Sequence, residues 1–193
     1  MRSTSLLIAA CAALVLSACA REAPQTASAA PPPPPFKPVA SIIDLMEGQV
    51  DPAADAMWES VATISGPKGT VEKQPRTDAE WKEVRRQALL LIEGANLLMM
   101  DGRVVAHQGQ TLEGAPGPTD FTPAQSEAAI KAQRPAFNAF AFALLNAGNE
   151  ALQATEARNV DAFLEAGGAI DEACEACHKK FWYPGGGTPT PGQ

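Results

Sequence analysis

Apolar residues recur at three- and four-residue steps in four stretches of the chain, and no stretch shows sustained period-two alternation of β-branched and aromatic residues. This pattern predicts an all-α domain. The first helix, from Pro38 to Ile64, places Val39, Ile42, Ile43, Met46, Val50, Ala54, Met57, Val61 and Ile64 on one face. Pro52 is expected to kink or restart it, because proline removes a backbone donor and crowds the preceding turn. After a Gly/Pro/Lys loop, Thr77-Asp78-Ala79-Glu80 reads as a capping box, in which hydroxyl and carboxylate satisfy the first free amides of a second helix reciprocally. That helix runs to about Asp101, with Trp81, Val84, Ala88, Leu91, Ala95, Leu98 and Met99 inward and Gly102 as its stop.

A loop from Gly102 to Phe121 follows, long enough to belong to the class that is often functional or mobile. Thr122-Pro123-Ala124-Gln125 is a second capping box, with proline at the first helical position. It opens a third helix that continues to about Ala157, bent at Pro135, with Phe137, Phe140, Leu144 and Leu145 as its bulk. Asn159 caps a fourth helix carrying Val160, Phe163, Leu164 and Ile170, which ends near Trp182. Four amphipathic helices joined by loops that let neighbours run antiparallel predict an antiparallel four-helix bundle over residues 38–183, whose interior can hold a cofactor.

The chain ends read differently. MRSTSLLIAACAALVLSAC has a cationic Arg2, an apolar run from Leu6 to Leu16 and small residues before Cys19, the layout of a secretory signal over residues 1–18. The run is too short to span a bilayer comfortably, and Leu16-Ser17-Ala18-Cys19 resembles a bacterial lipobox, which makes Cys19 the acylated first residue and the lipid bilayer a partner. Ordinary cleavage near Ala18 or Ala20 is the alternative. Residues 19–37, with five consecutive prolines from Pro31, form a semi-rigid spacer reaching about 50 Å from the lipid. Residues 184–193 are expected to be disordered. Loss of residues 1–18 removes Arg2 and no acid, leaving 14 basic against 22 acidic residues and a net charge of −8. That balance argues against nucleic acid as a partner.

Candidate chemistry is concentrated at the end of the fourth helix. Cys174-Glu175-Ala176-Cys177-His178 is the c-type haem attachment signature. On a helix, thiols at i and i+3 share a face and can add across two vinyl groups, while the adjacent imidazole reaches the iron. The predicted cofactor is one covalent haem c, with Cys174 and Cys177 as its attachment points and His178 as its proximal ligand. Two rivals fit poorly. A redox dithiol wants the N-terminus of a helix, where the dipole favours a thiolate, and this pair lies late in one. A structural zinc needs four ligands, and beyond these three the mature chain offers His107 and the lipobox cysteine.

An all-helical domain with a single CxxCH on its last helix, followed by Lys179-Lys180-Phe181-Trp182, resembles the class II c-type cytochromes, the cytochrome c′ family, over about Val39 to Trp182. The resemblance implies a haem inside a four-helix bundle, with the first helix across the iron from His178. In that family the low-spin members place a methionine from early in the first helix on the iron and resemble electron carriers; the five-coordinate members leave the position open and bind small gases. Ile42-Ile43-Asp44-Leu45-Met46 matches the low-spin pattern and makes Met46 the candidate sixth ligand. A gap-filling core methionine is the alternative reading, and Met57 is the nearest substitute. Met99 and Met100 are read as packing and His107 as a loop residue, with a distal histidine as its other role. Arg85, Arg86 and Arg134 are candidates for pairing with haem propionates; periodicity does not choose among them and none is assigned.

The expected function is electron transfer in the bacterial periplasm, with redox proteins of the cell envelope as partners and no enzymatic activity. A gas-binding protein with an open sixth site is the alternative. A haem peroxidase is the third reading, and it needs a polar distal pocket that the first helix, with Ile, Met, Val and Ala on its face, does not offer. The resemblance also allows a homodimer paired through the first two helices.

Overall fold

The computed structural model describes residues 36–111 and 119–184; the signal, Cys19, most of the spacer, positions 112–118 of the long loop and the tail from Gly185 lie outside the described residues. The protein is mostly helical, with one small two-stranded sheet. The first helix comprises α1 (Ile42–Leu45), a π turn (Met46–Val50) and α2 (Asp51–Ser60). A capping box that the sequence reading missed opens it: Ser41 Oγ accepts from the Asp44 amide, and Asp44 accepts from the Ser41 amide. The expected disturbance at Pro52 takes the form of the π turn, in which the Asp51 amide reaches back to the Met46 carbonyl. Pro52 cannot donate to the carbonyl one α-turn before it, and a turn widened by one residue lets the helix continue without that bond.

Two expectations for this region are corrected. The helix ends at Ser60 rather than Ile64, and Val61 is already extended (φ −131°, ψ 124°). Strands β1 (Ala62–Gly66) and β2 (Gly69–Lys73) then pair antiparallel, Ile64 opposite Val71, around the turn Pro67-Lys68 with Gly69 at φ +112°. Ile64 and Val39, assigned to the inward face, are 56% and 79% exposed, since neither belongs to the helix.

Helix α3 (Asp78–Leu98) begins at the Thr77–Glu80 capping box and stops at Met99, with Gly102 at φ +79°. Trp81, Val84, Ala88, Leu91, Ala95 and Leu98 are buried as the stripe predicts, while Met99 is only partly covered. Gly94 sets how closely the first helix approaches, because a Cβ there would stand 2.8 Å from Val50 Cγ2 on the π turn. The expected long third helix is two: α4 (Pro123–Ala132) and α5 (Arg134–Ala157), separated at Gln133 (φ −130°, ψ 38°). Pro135 has no N–H to return to the Lys131 carbonyl and its ring crowds that turn, so the bend becomes a break. Helix α6 (Val160–Phe181) starts at the Asn159 cap and is capped at Trp182; of its apolar residues Phe163 and Ile170 are buried and Leu164 is 51% exposed.

Helix α2 packs on α3 and α6, α3 on α5, and α5 on α6, so the four close into a ring. One apolar core, with Val50, Met57, Leu91, Leu144, Phe163 and Ile170, fills its middle. A second, with Ile42, Leu45, Leu98, Val105, Phe137 and Phe181, lies where α1, α4 and the end of α6 meet. Met46 packs against both.

Candidate functional site

The last turns of α6 carry Cys174, Cys177 and His178. The helix closes just beyond them, where the Trp182 and Tyr183 amides both return to the His178 carbonyl, at 2.8 and 3.0 Å. The imidazole meets Trp182 and Tyr183 edge-on, with ring centres 4.9 and 5.9 Å away. Both cysteines are free thiols. Burial pushes each up to about 12, reinforced at Cys174 by the carboxylates of Asp51, Asp171 and Glu175. Burial also lowers the basicity of His178, against an opposing pull from Glu175. The three donors are thus neutral at ordinary pH, and thiols held this far from ionisation are poor attacking groups for disulfide exchange. Glu175 itself lies below the usual carboxylate range, chiefly through its hydrogen bond from Tyr183 Oη, and it pairs with Lys179 at 3.0 Å.

Two adjoining apolar cavities border these residues. The outer one, about 680 Å³ including its mouth, is walled by Ile42, Ile43, Met46 and Glu47 of the first helix, Val105 of the loop, Ser126 and Ile130 of α4, and Cys177, His178 and Trp182 at the end of α6, among others. The inner one, about 370 Å³, reaches Leu98, Phe140, Leu144, Ala173 and Cys174. Met46, Asp51, Phe137, Cys177 and His178 line both. Phe137 and Phe140 hold Phe181 by edge contacts at 5.6 and 6.1 Å, which stiffens this wall.

The remaining sequence candidates lie elsewhere. Met57 is 1% exposed within the central core and borders neither cavity. Met100 receives a contact from Arg103, and Met99 packs against the second core outside the cavity lining. His107 is half-exposed, with Nε2 3.0 Å from the Val39 carbonyl and 3.4 Å from Asp44, and it fastens the loop to the start of α1. Arg85 and Arg86 form exposed pairs with Glu156 and Glu83. Arg134 donates to the carbonyls of Met99 and Met100 and lies 3.6 Å from Asp101, so it closes the C-terminus of α3.

Sequence reasoning missed the residues that arrive from afar. Ile42 and Ile43 donate to the Val104 and Val105 carbonyls at 2.9 and 3.1 Å, which lays the long loop along the first turn of α1 and seats Val105 in the cavity wall. Buried Arg103 ties that loop to the Leu97 and Ala40 carbonyls. Nothing local in the sequence marks these contacts or the arrival of Ser126.

No family model, curated protein or solved structure matches the chain. Among the described residues no three His, Cys, Asp or Glu side chains converge as a bare-ion site. A porphyrin supplies four donors of its own and asks the protein only for axial ligands, an apolar slot and, in the c-type form, two accessible thiols. Neutral Cys174 and Cys177 one helical turn apart, neutral His178 beside them and the Met46 thioether on the same lining fit those demands.

Proposed function

We propose that the protein is an exported, lipid-anchored, single-haem c-type cytochrome that transfers electrons, and that α2, α3, α5 and α6 form the four-helix bundle around its cofactor. Cys174 and Cys177 would hold the haem as thioethers, and His178 and Met46 would ligate its iron. The observation that carries this reading is that Met46, from the first helix, borders the same apolar space as Cys177 and His178 from the last. Burial that opposes a thiolate does not oppose a thioether, which has no charge to desolvate.

When bound, the haem supplies a one-electron ferric/ferrous couple. The chain's own residues set its behaviour. The Met46 sulfur, a soft donor, favours the reduced iron, and the apolar lining from Ile42, Ile43, Phe137 and Phe181 excludes water and disfavours added charge. The charged residues on the cavity lining are Glu47 and Asp51, and among the described residues no Lys or Arg borders it to assist O–O cleavage, so the reading is a carrier rather than a peroxidase. Acylated Cys19 and the proline spacer keep the domain near redox partners of the cell envelope.

The reading is tested on protein produced with a c-type maturation system. The expected product keeps its haem through denaturing electrophoresis, loses it in the Cys174→Ser/Cys177→Ser variant, and in its ferrous form resists carbon monoxide. Rapid carbon monoxide binding by wild type would favour the gas-binding alternative, and absence of covalent haem would overturn the cytochrome reading.

A further inference from the structure

We propose that Ser126 is the hydrogen-bond donor to a haem propionate, which orients the cofactor with its carboxylate edge toward α4 and its vinyl edge toward Cys174. This inference rests on the haem reading above. Ser126 is 4% exposed, and its Oγ has no hydrogen-bond partner. A buried hydroxyl without a partner is costly and is satisfied when a ligand supplies one. Ser126 belongs to the lining of the outer cavity, where most of the wall is apolar.

The order of residues along the two cavities gives the direction. Cys174 borders only the inner space and Ser126 only the outer, while Met46, Cys177 and His178 border both. A haem whose vinyl edge is fixed at the cysteines carries its two carboxylates on the opposite edge, at the end where Ser126 stands. The surrounding charge agrees. Ser126 lies at the end of the first turn of α4, a ten-residue helix whose dipole places partial positive charge at this end. Across Val105 and Ile130, a third cavity holds Arg103, Lys131 and Arg134 with Asp101 and Glu127. Lys131 pairs with Glu127 at 2.6 Å and Arg134 approaches Asp101, whereas Arg103 donates to neutral acceptors, which leaves a net positive field behind that wall. The carboxylates on the lining, Glu47 and Asp51, both belong to the first helix and not to α4.

The test uses resonance Raman spectra of the full-length matured protein, in which propionate bending bands report hydrogen bonding. In wild type, transfer to D2O is expected to shift one band; Ser126→Ala should move it to the position of an unbonded carboxylate and abolish the isotope shift, and Ser126→Thr should restore both. Wild-type bands insensitive to D2O, or unchanged in Ser126→Ala with haem still attached, would overturn the assignment while leaving the cytochrome reading intact. Wild-type protein with no haem would overturn both.

Discussion

Met46 and Met57 belong to the same helix but to different surroundings. Met57 is packed among Val61 and Phe163 and borders only a separate pocket with Trp58 and Leu164, away from Cys177 and His178, while Met46 stands between the two cores on the wall that His178 shares. Their truncations should separate accordingly. Met57→Ala removes core volume and is expected to cost about 2–5 kcal/mol of stability, measured by chemical denaturation, while the iron spectrum stays as in wild type. A spectrum that changed with Met57 and not with Met46 would reassign the ligand. At this scale the cysteine pair and His178 were readable because their chemistry is written in five consecutive residues. Ser126, Val105 and Arg103 were not, because each reaches its place through contacts between segments far apart in the chain.

Helix boundaries follow local rules where those rules are complete. Thr77, Thr122 and Asn159 each accept the amide that a cap should accept. Thr77→Ala is therefore expected to cost about 1 kcal/mol in thermal or chemical unfolding. Glu80 completes that box, and hydrogen bonds from the Arg76 amide and from Thr77 hold its carboxyl below the usual 4.5. A depressed folded-state value means that its contribution is present above pH 4.5 and is lost as the pH falls below that value. Glu80→Gln should accordingly flatten the decline in stability below pH 4.5 relative to wild type, and identical acid profiles would count against the box as a source of stability. The hairpin escaped the sequence reading because its period-two signal rests on a single large apolar residue per strand, Ile64 and Val71, both exposed. Prolines proved stronger than periodicity. Pro135 splits one apolar stripe into α4 and α5, and Pro52 coincides with a widened turn at the very segment that carries Met46.

For the whole molecule, attachment and ligation are separate questions. No helix among the described residues is long and apolar enough to cross a membrane, and the proposed tether is the lipid on Cys19, outside those residues. Cys19→Ser should therefore move the protein from the membrane fraction to the soluble periplasmic fraction without altering its haem; retention in the membrane would point to another anchor.

The ligation claim joins the first helix to the last through one iron, and an optical spectrum of oxidised protein, wild type against Met46→Ala, tests it most directly. Wild type should be low-spin with a weak near-infrared thioether-to-iron band, and the variant should lose the band and turn high-spin while keeping its covalent haem. A high-spin wild-type spectrum that Met46→Ala leaves unchanged would contradict it.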